Sequence, residues 1–250
     1  MASTAELWHA ARNPPTDPKD IPGHSFKDKA VLVTGAYGDK ALGHHAAIKY
    51  AALGANLLIL AVRTAEKGEE AKAAIIRHTN CSPDIFIIET VDLASFASVR
   101  EFVDRLNRNS RVPYLHVVQL AAGVAPWAYG QSPDGYEISL QVDVLSTALL
   151  ALLLLPKMRE APDGVRPHLS FLDRISIFII PDDMKAELEA LRGESLIKRC
   201  DDKEKWDAVK HVRYYFLGRS AEQGARTLVS ATALGEESHG RFWTNDKYHP

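Results

Sequence analysis

Two glycines and two cations in this chain are spaced to hold a ligand that carries phosphate. The apolar run Val31-Leu32-Val33-Thr34 enters Gly35, and Gly43 follows where a helical pattern begins, His44 to Leu53. A glycine at a strand end lets the backbone turn tightly, and the helix start beyond it offers free N–H groups to a pyrophosphate. Arg63 stands twenty residues after Gly43, at the end of the next apolar run, Asn56 to Val62. From that place a dinucleotide fold reads the adenosine ribose. A carboxylate there would hold the 2′-hydroxyl, whereas Arg63, with Lys67 a helical turn away, suits a 2′-phosphate. The expected cofactor is therefore NADP(H) rather than NAD(H). The adjacent pair His44-His45 does not share a helix face, so solvent or phosphate contact is expected of it rather than metal binding.

Such residues need a rigid scaffold, and the chain supplies one by alternation. Strand patterns at Ala30 to Thr34, Asn56 to Val62, Asp84 to Thr90 and Tyr114 to Leu120 alternate with helical patterns at Leu42 to Leu53, Ala65 to His78, Ser95 to Asn109 and Gly135 to Arg159. Leu57-Leu58-Ile59-Leu60 and Ile85-Phe86-Ile87-Ile88 are continuously apolar, as in a parallel sheet covered by helices on both faces. The fold expected is α/β, a doubly wound parallel sheet. In the Ser95 helix, Phe96, Val99, Phe102, Val103 and Leu106 form one stripe that packs on the sheet. The long helix is apolar all round from Val144 to Leu155, so it is either deeply buried or paired with a second subunit. That apolar run is too short to span a bilayer. Another strand is expected from His168 to Leu172, a capped helix from Ser220 to Leu234, and a last short strand at Arg241-Phe242-Trp243.

Composition narrows the function classes. With 250 residues, 46% apolar and 25% charged, the chain can bury a substantial single core. A net charge of −2, with both signs mixed, leaves no basic stripe for nucleic acid. Cys81 and Cys200 are too few for a disulfide framework or a structural zinc site, and read as free thiols in a reducing, cytoplasmic setting. Residues 1–25, with Pro14, Pro15, Pro18 and Pro22 among charges, read as an arm laid over a single domain of residues 26–250.

The runs Thr34-Gly35-Ala36, Ala41-Leu42-Gly43, Ile59-Leu60-Ala61-Val62-Arg63, Val91-Asp92-Leu93, Ala122-Gly123-Val124 and Leu140-Gln141-Val142-Asp143 resemble the short-chain dehydrogenases/reductases. Within that family they are similar to a retinol-dehydrogenase-like branch common in fungi. The similarity runs from Phe26 to Leu172 and resumes from Gly218 to Trp243. It implies a Rossmann-like fold, here with a shortened C-terminal part. It also implies that Gly35, Leu42 and Gly43 line the pyrophosphate, Arg63 the 2′-phosphate, Asp92 and Leu93 the adenine, and Ala122 and Gly123 the wall beside the nicotinamide ribose. The implied substrate is a small, fairly apolar carbonyl or alcohol in a biosynthetic pathway. The implied assembly is a homodimer through the 136–158 helix.

Several residues depart from the family pattern. Two extra residues lie between Gly35 and Gly43, Ala41 stands for the middle glycine, Ala121 for an asparagine, and Asp143 for the asparagine of a proton relay. Asp92 also has a plain alternative use, favouring the dipole of the helix that starts at Ser95. The family reduces carbonyls with a serine, a tyrosine and a lysine. A phenol of ordinary pKa near ~10 needs a fixed cation beside it to act as acid or base at neutral pH. Here the serine's place falls on Arg174, and no Tyr-x-x-x-Lys occurs. Two readings remain: Tyr215 with Arg219 takes over the pair, or the whole catalytic helix is deleted and residues 174–219 are an atypical replacement. In the second case the chain is a redox-inactive relative serving as isomerase, dehydratase, cyclase or non-catalytic partner.

Overall fold

The computed structural model describes residues 15–21, 23–124, 126, 129–162, 165–172, 221–233, 242–244 and 247–249. Its centre is a five-stranded parallel sheet of β1 (Ala30–Thr34), β2 (Leu57–Val62), β3 (Phe86–Thr90), β4 (Val117–Leu120) and β5 (His168–Phe171). The strand order is β3-β2-β1-β4-β5, so the winding reverses between β1 and β4. Crossovers are made by α1 (Leu42–Ala52), α2 (Ala65–Thr79) and α3 (Phe96–Arg108). They continue with a π-helical stretch at Leu140–Ser146 that runs on into α4 (Thr147–Arg159). Helix α5 (Ala221–Ala231) packs against α1, and β6 (Phe242–Thr244) pairs antiparallel with β7 (Lys247–His249).

The continuously apolar strands are explained by two separate cores. Val31 and Val33 of β1, with Leu58 and Leu60 of β2, face Tyr50, Ile75 and Val229. The alternate residues Leu32 and Ile59 face Phe102, Leu150 and Leu154 on the other side. Side chains alternate along a strand, so covering both faces demands apolar residues throughout. The expected doubly wound Rossmann-like sheet is the fold observed.

Several boundaries differ from the sequence expectation. The long helix does not begin at Gly135, which has φ +86°. The chain turns there, and the Glu137 carboxylate accepts from the N–H groups of Ser139 and Leu140 at 3.0 and 2.8 Å, capping a helix that starts later. Nor is this helix uniformly buried. Leu150 and Leu154 are fully buried, while Leu152 is 66% and Val144 53% exposed. The continuous segment Leu140–Arg159 is also longer than the apolar run alone, with 20 residues of membrane-spanning length and composition. Its buried side is nevertheless built into the sheet's core. In α3, Phe96 leaves the buried stripe and packs edge-on against the Tyr136 ring. The strand expected at Asp84 starts at Phe86, because Pro83–Ile85 form a 3-10 turn. The expected terminal strand is one arm of the β6–β7 hairpin, a separate two-stranded sheet.

Residues 15–21 reach across α1 and α5. Lys49, buried in α1, bonds Asp17 at 3.2 Å and Glu222 at 2.6 Å, while Arg226 bonds both Glu222 and the Pro15 carbonyl.

Candidate active site

The switch point between β1 and β4 opens into a cleft of about 350 Å³ at the C-terminal edge of the sheet. Open α/β sheets bind ligands there, because the loops that leave adjacent strands diverge to opposite faces. Gly35, Leu42, Arg63, Lys67, Asp92, Leu93, Ala122 and Gly123 all line it.

Thr34 closes the floor. Its hydroxyl accepts from the N–H groups of Ala121 and Ala122 at 2.9 and 3.0 Å, clamping the ends of β1 and β4 together. Gly35 has φ +68°, and a Cβ on it would lie 2.8 Å from the Ala122 Cα. Only glycine permits that crossing without strain. Gly43 lies one layer back. A Cβ there would meet the Thr34 and Gly35 carbonyl oxygens at 2.6 and 2.7 Å, so its absence lets α1 start directly on the end of β1.

The longer turn between the glycines does not fill the cleft. Ala41 is the extended N-cap of α1, and its N–H donates to the Gly38 carbonyl at 2.8 Å. The N–H groups of Leu42 and Gly43 have no acceptor among the described residues, which leaves the helix start open to an anion. His44, buried, and His45, half-buried, both support the turn. Nδ1 of His44 donates to the Ala36 carbonyl at 3.3 Å and Nε2 of His45 to the Asp39 carbonyl at 2.8 Å. Burial pushes the His44 imidazole below its ordinary value, consistent with a neutral donor.

Sequence reasoning missed Tyr37 and Lys40, which sit in the added length of the turn and also line the cleft. The Lys67 ammonium lies 5.2 Å from the Tyr37 ring centroid, and the Glu70 carboxylate beside the Tyr37 hydroxyl holds the phenol above its ordinary value. The turn is thereby pinned to α2. Arg63, exposed at the end of β2, has no carboxylate partner among the described residues. Arg63, Lys67 and Lys40 thus give the cleft three cationic lining residues.

Asp92 serves two geometries at once. It lines the cleft, and its carboxylate accepts from the Ala94 N–H at 2.9 Å in the turn before α3. At the opposite end Asp143, in the π-helical stretch, accepts from the Val124 N–H at 2.8 Å. Single π-type turns of this kind recur at functional sites because they re-aim side chains. Arg174, Tyr215 and Arg219 lie outside the described residues, as do Ser220 and Cys200.

A family model described as short chain dehydrogenase matches residues 29–165, from the start of β1 through the end of α4. The chain belongs to the short-chain dehydrogenase family. Among its members, a short-chain dehydrogenase/reductase of Aspergillus flavipes is 34% identical, with 98% of this chain and 84% of the relative covered. One of Phaeosphaeria nodorum is 33% identical with the same coverage. A short chain dehydrogenase of Emericella nidulans is 41% identical over 88% of this chain and 69% of its own. A crystal structure of a short chain dehydrogenase from Salmonella enterica serovar Typhi aligns over 58% of each chain at 28% identity, with a TM-score of 0.46. The alignments to the Aspergillus and Phaeosphaeria dehydrogenases run over 298 positions, longer than this 250-residue chain, so those relatives carry residues that this one lacks.

The cleft fits a dinucleotide. It has an open helix start for a diphosphate, a glycine crossing that a Cβ would block, and cations at the ribose end.

Proposed function

We propose that this dehydrogenase-family protein is an NADP(H)-dependent oxidoreductase acting on a carbonyl or alcohol of a small apolar metabolite in a biosynthetic pathway. The observation that carries the reading is the cationic end of the cleft. Arg63 and Lys67 offer charge where a 2′-hydroxyl would need a carboxylate instead, and Lys40 lines the same cleft. Leu42 and Gly43 would hold the diphosphate by their backbone N–H groups, with Asp92 and Leu93 against the adenine and Ala122 and Gly123 against the nicotinamide ribose. When bound, the nicotinamide supplies or accepts the hydride.

The chain's own part is to orient the substrate and move a proton. Tyr215 is the proton donor to the carbonyl oxygen in this reading, and the Arg219 guanidinium lowers its pKa toward neutrality. Asp143 orders the loop that carries Gly123 and Val124 and belongs to the proton path, while Arg174 anchors the substrate oxygen. The protein works in the cytoplasm, as a homodimer joined through the exposed side of the 136–158 helix.

The test is a fluorescence titration with NADPH, followed by a carbonyl-reduction screen. NADPH is expected to bind in a salt-sensitive manner, Arg63→Glu to weaken it, and Tyr215→Phe to abolish turnover. Unchanged binding in Arg63→Glu would remove the cofactor assignment.

A second reading is favoured by the residues that the Aspergillus and Phaeosphaeria relatives have and this chain lacks, together with the missing Tyr-x-x-x-Lys. In it the scaffold has lost its catalytic helix and acts as an isomerase, dehydratase, cyclase or non-catalytic partner. NADPH binding without any change in nicotinamide absorbance across the screen would select it.

A further inference from the structure

Lys29, His116 and His168 stand side by side where three neighbouring strands begin. Lys29 immediately precedes β1, His116 precedes β4, and His168 opens β5. The His116 N–H donates to the Ala30 carbonyl at 3.0 Å and the His168 N–H to the His116 carbonyl at 2.8 Å, so the backbone holds them along one edge. That edge is the N-terminal end of the sheet, opposite the nucleotide cleft. There the three residues line a second cleft of about 380 Å³ with Lys27, Asp28 and Arg166.

The wall is rich in donors and poor in acceptors. Among the described lining residues Asp28 is the one carboxylate, and neither Lys27 nor Lys29 has an ion-pair partner among the described residues. Nδ1 of His116 accepts from the Ala30 N–H at 2.8 Å, which fixes the neutral tautomer with its proton on Nε2. His116 is only 8% exposed and lines the cleft. Burial, and then the charge of Lys29, push the imidazoles of His116 and His168 below their ordinary values, while burial lowers Lys29 itself. An anion seated among them would relieve all three effects.

We propose that this second cleft is a binding site for a doubly charged phosphate-type oxyanion, either free phosphate or a phosphate monoester, held by Lys29, His116, His168 and Arg166. Its volume exceeds what one oxyanion fills, so an ester group has room beside the phosphate. The site lies outside the nucleotide cleft and is independent of the oxidoreductase reading. Because His116 keeps Nδ1 as acceptor for the Ala30 N–H, the bound anion stabilises the imidazolium of His168, so binding takes up a proton there and tightens as pH falls from 8 to 6. Lys27, Asp28 and Lys29 face the histidines from the lead into β1. The Tyr114 ring lies 4.9 Å from that of His116 on the lead into β4, and Arg166 comes from the lead into β5.

Isothermal titration of the full chain with sulfate tests this, because sulfate keeps its charge across that pH range; chloride holds the ionic strength constant. Wild type is expected to bind sulfate more tightly at pH 6 than at pH 8, each unit by which the anion lifts a histidine contributing about tenfold. The double variant Lys29→Gln/His168→Gln should lose binding at least tenfold. Lys27→Gln/His168→Gln provides a second reading should the first double variant fold poorly. The variant Arg63→Ala/Lys67→Ala, which removes the cations of the other cleft, should keep the pH-dependent part of the sulfate binding. Titrations with inorganic phosphate and glycerol 3-phosphate then separate the sources: tighter binding of the ester assigns a phosphate monoester, and equal binding assigns free phosphate. Sulfate affinity unaltered in both histidine variants, or its pH-dependent part lost in Arg63→Ala/Lys67→Ala, overturns the proposal without touching the NADP(H) reading.

Discussion

The carboxylate of Asp143 accepts a hydrogen bond from the backbone N–H of Val124 at 2.8 Å, joining the π-helical stretch to the loop that leaves β4. That loop carries Ala122 and Gly123 along the cleft, so the bond anchors the part of the loop that lines it. Asparagine presents the same acceptor oxygen and leucine presents none. Asp143→Asn should melt within a degree or two of wild type, whereas Asp143→Leu should lose about 1–3 kcal/mol through the stranded N–H. Denaturant melts of the two variants measure the difference, and equal stability would show that the loop is held by other contacts.

Gly43 has no room for a methyl group against the Thr34 and Gly35 carbonyl oxygens. Gly43→Ala must lift the start of α1 off β1. It is expected to cost about 1–3 kcal/mol as an overpacking change and to weaken NADPH further by displacing the open N–H groups. Thermal melts with and without NADPH separate the two effects. A ligand-induced shift as large as in wild type would place the diphosphate elsewhere.

The depressed imidazoles of His116 and His168 predict a direction for stability against pH. Their folded values lie below the ordinary 6.5 that they regain on unfolding, so the unfolded chain takes up protons first as pH falls. Their contribution is complete above about pH 6.5 and is lost below it, down through the folded values. In chloride buffer the melting temperature should therefore fall between pH 7 and pH 5. His116→Asn keeps an acceptor for the Ala30 N–H and should flatten the slope; an unaltered slope would assign the titration to other groups.

Glu222 binds two cations at once, Lys49 at 2.6 Å and Arg226 at 3.0 Å. Burial works against its charge, but the bonds to Arg226 and Lys49 outweigh it and hold the carboxyl below its ordinary range. Because the Glu222 side chain is 38% exposed and its ion pairs are screened by solvent, Glu222→Ala should cost about 1 kcal/mol. Because Asp17 and Pro15 share the same cations, the cut should also speed proteolysis of the N-terminal arm. Limited trypsin digestion checks this, and an unchanged cleavage pattern would show that the arm is held independently.

Leu152 and Val144 leave large apolar surface on a helix whose other side is core. If that surface joins two copies, Leu152→Asp should convert a dimer to a monomer in sedimentation velocity without changing the melting temperature at low concentration. A monomeric wild type would remove the dimer proposal.

Sequence alone determined the sheet. Fully apolar runs such as Leu57-Leu58-Ile59-Leu60 are required only when both faces are covered, and their alternation with helical stripes leaves a parallel, doubly wound order. It also marked most of the cleft, because Gly35, Gly43 and Arg63 are tied to local events: a strand end, a helix start and the next strand end. Tertiary structure decided what depends on neighbours remote in the chain. That the longer turn leaves the cleft open rests on His44, His45 and Tyr37 fastening it to the Ala36 and Asp39 carbonyls and to α2. The basic cleft at the other edge was illegible, since Lys29, His116 and His168 are far apart in sequence and carry no motif. Strand pairing alone makes them neighbours, and spacing along a chain does not encode which strands pair.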